Sequence, residues 1–337
     1  MRQISVIVPV YNNPDGLEKV LFSLVNQSYS QDDYEIIIVD NNSSIDRTRE
    51  VALEYRNKYS ELVQLVNENS LQGSYATRNT GIKQSQGEIV AMVDADCIPA
   101  QDWIMNGVKS LETLKADLVG GQVEFFFSDN PSPAEMYDSM VHMQVKKSIE
   151  TKGVSPTANL FVRRDVFDAM GLFPSHLSSG GDVIWTGAAT RAGFILRFAS
   201  EAKVFHPARG FKHLIKKKIR VASGFFPIRR SKNISPLAVM KDMLRYLFPP
   251  RIRHIRNLIR ERGNPDMYQY LWSIWFVAWV CRYATNLGRI LPPLRAFCLT
   301  TRIPGFALYP TALALSSLVG LSILTVESSR LQEISLC

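Results

Sequence analysis

The stretch Ile89-Val90-Ala91-Met92-Val93-Asp94-Ala95-Asp96 decides the fold. Five consecutive apolar residues match a strand buried on both faces, and two carboxylates one residue apart close it. Working back from it, Ser74 to Ser85 reads as a helix and Leu62 to Val66 as a strand. Before those come a helix from Ile45 to Tyr59, capped by Ser44, and the strand Tyr34-Glu35-Ile36-Ile37-Ile38-Val39-Asp40. Pro14 to Gln27 is helical in pattern, with Leu17, Val20, Leu21 and Leu24 on one face, and Ile4 to Val10 is a first strand. Strands alternating with helices at this spacing predict right-handed βαβ units, a parallel sheet covered on both faces, and hence a doubly wound α/β domain.

In such sheets ligands bind beyond the carboxyl ends of the strands. Three polar clusters fall at those ends: Pro9-Val10-Tyr11-Asn12, Asp40-Asn41-Asn42 and Asp94-Ala95-Asp96. Further along, the pattern predicts a strand from Leu118 to Phe127, a helix from Pro133 to Lys147, an apolar stretch at Ala158 to Val162, a helix from Asp182 to Ala192, and a last strand at Ile195 to Ala199 before His206-Pro207. The α/β part is expected over residues 1–210, with a basic and then apolar helical region over 211–337.

The chain has 337 residues, 46% hydrophobic and 21% charged, which excludes a disordered polyelectrolyte, a collagen and a disulfide miniprotein. Its four cysteines are scattered without a C-x-x-C pair, so neither a zinc knuckle nor a disulfide framework is indicated. The N-terminus carries no signal-peptide pattern, which makes a reducing, cytoplasmic setting the expectation. The net charge of +8 is unevenly spread: Lys203 to Arg262 holds 17 basic residues against two acidic ones, and the remainder is net acidic. Such a block suits nucleic acid, an anionic membrane surface or a phosphorylated ligand.

On its own, the pair Asp94 and Asp96 suits a hard divalent cation carrying a diphosphate, because such ions keep water and take one or two carboxylates beside phosphate oxygens. A solvated turn is the plain alternative. The paired glycines in Ser178-Ser179-Gly180-Gly181-Asp182 let the backbone approach a ligand closely, while Asp182 could equally cap a helix. Asp165, in Arg163-Arg164-Asp165, reads as an ordinary helix start.

The order Ile4 to Asn12, Ile36 to Ser43, Gly73 to Ile82 and Gly87 to Asp96 resembles the family 2 glycosyltransferases of GT-A fold. The resemblance is specific over about the first hundred residues and looser to about residue 210. It implies that Pro9, Tyr11 and Asn12 line a nucleotide pocket, that Asp40 bonds the base, and that Arg78 lies near phosphates or sugar. It implies that Asp94 and Asp96 contact a nucleotide-sugar donor, a UDP-sugar being favoured, with Asp96 on Mn2+ or Mg2+. The family's catalytic base sits in a short acidic motif matched here by Asp182, with Gly181 in place of the usual Glu. Asn159 falls in a run resembling the acceptor-side strand, and His206 in one that approaches the metal or diphosphate. Trp185 reads as an acceptor-pocket wall or as core. The implied activity is inverting transfer of a sugar to a hydroxyl of a lipid-linked or polysaccharide acceptor. Transfer to a polyprenyl phosphate and a non-catalytic sugar-nucleotide scaffold are the alternatives.

No nucleic-acid module is recognisable around the basic block. Lys212, Lys216, Lys217, Lys218 and Arg220 form its first cluster, and Arg251, Arg253, Arg256, Arg260 and Arg262 the second. Met267 to Cys281 is uncharged, with Tyr268, Trp272, Trp275 and Trp279 at helical spacing, which suits an in-plane or re-entrant helix at headgroup level. Ile303 to Val326 is uncharged and long enough to cross a bilayer, or to form a buried or interfacial helix pair. The block and tail together predict attachment to the cytoplasmic face of the cell membrane.

Overall fold

In the computed structural model, which describes residues 3–44, 47–231 and 235–301, seven consecutive buried residues of β2 (Tyr34–Asp40) lie beside the nearly all-buried β1 (Ile4–Val10). Apolar side chains point to both faces and the buried polar pair Ser5 and Glu35 is hydrogen-bonded to itself at 2.6 Å, so both faces of the sheet must be covered. α1 (Pro14–Val25), started by Pro14 and by the Asn13 side chain accepting from the Gly16 N–H, packs Leu17, Val20, Leu21 and Leu24 inward. α2 (Thr48–Lys58), β3 (Val63–Asn67), α3 (Ser74–Gln84) and β4 (Ile89–Val93) follow. α2 starts after the expected cap at Ser44; Thr48 Oγ1 instead accepts from the Asn13 N–H at 2.8 Å.

The second half adds β5 (Ile98–Pro99), α4 (Trp103–Thr113), β6 (Leu118–Phe126), α5 (Pro133–Val141), α6 (Val145–Lys152), β7 (Asn159–Arg163), α7 (Arg164–Met170), α8 (Gly181–Arg191) and β8 (Leu196–Pro207). The helix expected from Pro133 to Lys147 is two helices, because the chain breaks at His142 and Met143 takes a positive φ of 48°. β8 runs eight residues past the expected Ala199.

The strands form one sheet in the order β3-β2-β1-β4-β7-β6-β8-β5. The first four are parallel, as expected, but β7 runs antiparallel to both β4 and β6, so the sheet is mixed. β6 and β8 are parallel and lose register after Gly121, which pairs with Ala199 while Gln122 pairs with Lys203. A Cβ on Gly121 would come within 2.3 Å of Ala202 O and of Asn159 Nδ2, so this bulge requires glycine.

α9 (Phe211–Ser231), α10 (Pro236–Leu247), α11 (Ile252–Arg262) and α12 (Leu271–Thr301) complete the described chain. Packing places Met1–Arg289 in one compact unit and Ile290–Cys337 in a second, so the change near residue 210 is one of element type within the first unit. α5, α11 and the start of α12 share a small core of Met136, Met140, Ile255, Ile259 and Ile274. The uncharged stretch Met267 to Cys281 is a turn of 3-10 helix joined to α12, a helix of 31 residues and not a short one. Two of its tryptophans work inside the protein: Trp275 Nε1 donates to Pro250 O at 2.6 Å and Trp279 Nε1 to Leu247 O at 3.3 Å, satisfying carbonyls at and beyond the end of α10. Among the described residues no helix is long and apolar enough to cross a membrane; Ile303 to Val326 lies outside them.

Candidate active site

The carboxyl ends of β1 and β2 meet because Asn41 N donates to Val10 O at 3.0 Å. Asn12, at a positive φ of 45°, accepts on Oδ1 from the Ser44 N–H, and its own N–H donates to Ser43 Oγ at 3.0 Å. Asp40 is buried; its Oδ1 accepts the Ser43 N–H, while Oδ2 is buried without a hydrogen-bond partner, 3.8 Å from Arg49 Nη1. A desolvated carboxylate oxygen left unpaired costs free energy unless something donates to it. An N–H on the edge of a nucleobase is such a donor. Tyr11 is exposed beside this cleft and Pro9 is half-buried in β1.

Helix α3 ties the cleft to the carboxylate pair. Gly73 N donates to Asn41 Oδ1 at 2.8 Å, fixing the helix start, and one turn later Arg78 pairs with Asp94 through Nη2 and bonds Ser74 O through Nη1. Arg78 is buried and its Nε is unpaired, so a cation and its counter-ion stand together at the end of β4.

Asp96 is brought to His206 by β5, whose Ile98 pairs with Phe205 of β8. His206 is fully buried, and Nδ1 donates to Pro207 O at 2.7 Å. That bond leaves the lone pair on Nε2, which lies 3.5 Å from Asp96 Oδ2 and here accepts from Arg209 Nη2 at 2.9 Å, so a cation bound by Nε2 has to take the place of that guanidinium contact. Burial lowers the imidazole pKa, with the Asp96 carboxylate opposing, and so favours the neutral ring a metal needs. A carboxylate oxygen and an imidazole nitrogen at this separation could hold a divalent cation. Cys97 Sγ lies in the same cluster, within 4.8 Å of both, but burial and the charges of Asp96 and Asp94 push its pKa well up and keep it a thiol.

Asp182 sits in the first turn of α8, after Gly180 at φ +79°, so the N-cap is Gly180 and not Asp182. Tyr75 donates its hydroxyl to Asp182 Oδ1 at 2.9 Å, and the Thr157 N–H approaches Oδ2 at 3.4 Å. The same helix α3 therefore holds Arg78 against Asp94 and Tyr75 against Asp182.

Two expected acceptor residues lie elsewhere. Asn159 is fully buried; it accepts from Trp103 Nε1 at 2.9 Å and donates to Gln122 O and Ala202 O, clamping the bulge between β6 and β8. Both protons of that amide and one lone pair of its oxygen are thus used within the protein. Trp185 is core: its ring stacks on Phe167 at 4.7 Å and its Nε1 donates to Gly171 O at 2.8 Å. Tyr75 and Arg209 were not singled out from the sequence, and Asn41 appeared only as a member of the Asp40-Asn41-Asn42 cluster, without a role. Tyr75 lies in the Gly73 to Ile82 motif; Arg209 carried no signal beyond its charge.

The model of glycosyl transferase family 2 matches residues 5–171. Glycosyltransferase AglE of Haloferax volcanii is 43% identical over 296 residues, 87% of this chain and 97% of that one. Poly(ribitol-phosphate) beta-glucosyltransferase of Bacillus spizizenii is 28% identical over 187 residues, 55% of this chain and 29% of that protein. Among solved structures, mannosyltransferase PcManGT from Pyrobaculum calidifontis, in complex with GDP-Man and Mn2+, is similar at a TM-score of 0.54 and 22% identity, over 94% of this chain and 81% of that one. That likeness bears on the fold, an α/β fold of GT-A type, whereas the near full-length identity to AglE bears on the family. The chain belongs to glycosyl transferase family 2 and is a glycosyltransferase.

Proposed function

We propose that the chain moves a sugar from a nucleoside-diphosphate donor to a hydroxyl of a lipid-linked or polymeric glycan, inverting the anomeric centre, at the cytoplasmic face of the membrane. The observation that carries this reading is the single helix α3, which pairs Arg78 with Asp94 on the donor side and Tyr75 with Asp182 on the other. Asp40 and Asn12 receive the nucleoside, and Arg78 and Asp94 the sugar-diphosphate. Asp96 and His206 would hold a divalent cation, Mn2+ or Mg2+, which when bound would supply Lewis-acid neutralisation of charge on the diphosphate. Asp182 takes the proton of the acceptor hydroxyl as its oxygen bonds the anomeric carbon, and the electron pair of the breaking bond leaves with the nucleoside diphosphate. Tyr75 occupies Oδ1 of Asp182, which leaves Oδ2, approached by the Thr157 N–H at 3.4 Å, as the oxygen to take that proton.

Membrane attachment is supported by a row of exposed side chains on α10, Leu237, Met240, Leu244 and Leu247, continued by Phe248. Exposed Arg251, Arg253 and Arg256 follow on the next turns, and cations beside an apolar stripe suit an anionic lipid surface. The name of the Bacillus spizizenii relative, poly(ribitol-phosphate) beta-glucosyltransferase, gives a polymeric acceptor for that enzyme.

The test is release of nucleoside diphosphate from a panel of UDP- and GDP-sugars, with Mn2+ or Mg2+ and with chelator, using protein washed from the membrane fraction. Metal-dependent release from one donor class is expected. Tight donor binding with no release from any would favour a scaffold, and recovery wholly without membranes would remove the attachment.

A further inference from the structure

Arg209 faces two carboxylates and hydrogen-bonds neither with its guanidinium. It lies in the link 208–210 between β8 and α9, where the backbone is fixed: the Ala208 N–H donates to Phe126 O at 2.9 Å and the Arg209 N–H to Asp138 Oδ2 at 3.0 Å. On one side Nη2 is 3.6 Å from Asp96 Oδ2. On the other, Nη1 is 3.6 Å from Asp138 Oδ2 and is buried without a hydrogen-bond partner. Among the described residues the guanidinium makes one hydrogen bond, from Nη2 to His206 Nε2 at 2.9 Å.

That bond is exclusive. His206 Nδ1 donates to Pro207 O, so Nε2 keeps a single lone pair, which a guanidinium N–H and a metal ion cannot share. Like charge adds to the conflict, because a guanidinium at this distance from Asp96 repels a second cation on the same carboxylate. Asp138 offers the displaced group a place. It is fully buried on α5; its Oδ1 accepts from His142 Nδ1, and that ring is held in turn by Lys218 Nζ, which donates to Nε2 at 3.1 Å. Oδ2 accepts only the Arg209 N–H and keeps a lone pair. Nη1 would have to close by about 0.5 Å to reach it at ordinary hydrogen-bond length, a side-chain movement that leaves the anchored backbone where it is.

We propose that Arg209 and a divalent cation exchange at Asp96 and His206: in one arrangement the guanidinium holds the His206 lone pair, and in the other the cation takes it and the guanidinium closes onto Asp138. The inference rests on the reading of Asp96 and His206 as metal ligands. The side chains of Arg209 and Asp96 are 21% and 35% exposed, so the contested position is open to solvent, whereas His206 and Asp138 are fully buried. The metal affinity of the chain is then the intrinsic affinity of the ligands reduced by the fraction of molecules in which the lone pair is free.

The test is Mn2+ binding to the full chain without donor or acceptor, read by electron paramagnetic resonance of free Mn2+, which needs no turnover. Arg209→Met, which keeps the stem and removes the competitor, is expected to bind Mn2+ at least tenfold more tightly. In a His206→Phe background, which keeps a ring against Phe125 and removes the lone pair, the same substitution should change the affinity less than threefold. Equal tightening in both backgrounds would reduce Arg209 to a nearby charge and overturn the exchange. Asp138→Asn, which weakens the receiving side, should lower Mn2+ affinity at least threefold in the wild type and less than twofold once Arg209 is replaced by Met. Melting curves check that each variant folds, and the two cycles stand independently, so either can decide alone. Mn2+ bound by neither the wild type nor Arg209→Met would overturn the metal site itself, whereas equal Mn2+ affinity of the wild type and folded Arg209→Met would overturn the exchange alone.

Discussion

Tyr75 and Asp182 are 107 positions apart in the chain, and the hydroxyl of one donates to the carboxylate of the other at 2.9 Å. A residue at the start of α3 thereby orients the side chain assigned as base on α8. Replacing Tyr75 by Phe removes that donor and keeps the ring. Sugar transfer is expected to slow about tenfold, equivalent to about 1.4 kcal/mol, with the donor KM unchanged. Steady-state kinetics in both substrates check this; a rise in donor KM alone would place Tyr75 in the donor pocket instead.

His206 Nε2 and Asp96 Oδ2 are 3.5 Å apart. His206→Ala is expected to weaken Mn2+ binding by about 10- to 100-fold, read by electron paramagnetic resonance of free Mn2+ without donor or acceptor. Unaltered Mn2+ affinity would remove His206 from the metal site.

The N-terminal half of the sheet is legible because its strands are unbroken apolar runs ended by chemistry: β1 and β2 begin and end where the residues say, and Asp40, Asp94 and Asp96 fall at strand ends. The antiparallel direction of β7 is not legible, since a short apolar run such as Asn159 to Arg163 reads the same whichever way it pairs. Asn159 was assigned to the acceptor side by resemblance alone. The bulge on which its amide is spent, made by Gly121 and Ala202 in two other strands, leaves no local pattern in the sequence. The spacing of the tryptophans along α12 gives no sign that two of them donate their N–H groups to Leu247 O and Pro250 O. Pairings such as Asp138 with Arg209, 71 positions apart, leave no local trace.

Asn159→Ala should therefore be a stability variant. It leaves the Trp103 indole N–H and two carbonyls unpaired in the core, and a loss of about 3 kcal/mol in urea unfolding is expected. A raised acceptor KM with unchanged stability would restore Asn159 to the acceptor site.

Burial, and the charge of Arg209 next, push the Lys217 ammonium down to about 7, with Lys218 and Arg220 adding to this and Asp138 opposing it. The folded chain then binds fewer protons than the unfolded one between pH 7 and the ordinary lysine value of 10.5. Stability contributed at this position should rise with pH across that window and be lost as pH falls through it. Denaturant melts of Lys217→Met, compared with the wild type at pH 7 and pH 9.5, should show the wild type gaining relative to the variant; parallel curves would contradict the shift.

The most direct measurement of the central claim is single-turnover transfer by Asp182→Asn beside an equilibrium measurement of its donor affinity. The account predicts donor affinity within about twofold of the wild type and transfer slowed by about a thousandfold, as for loss of a general base. Transfer at the wild-type rate by a variant that binds donor normally would contradict it.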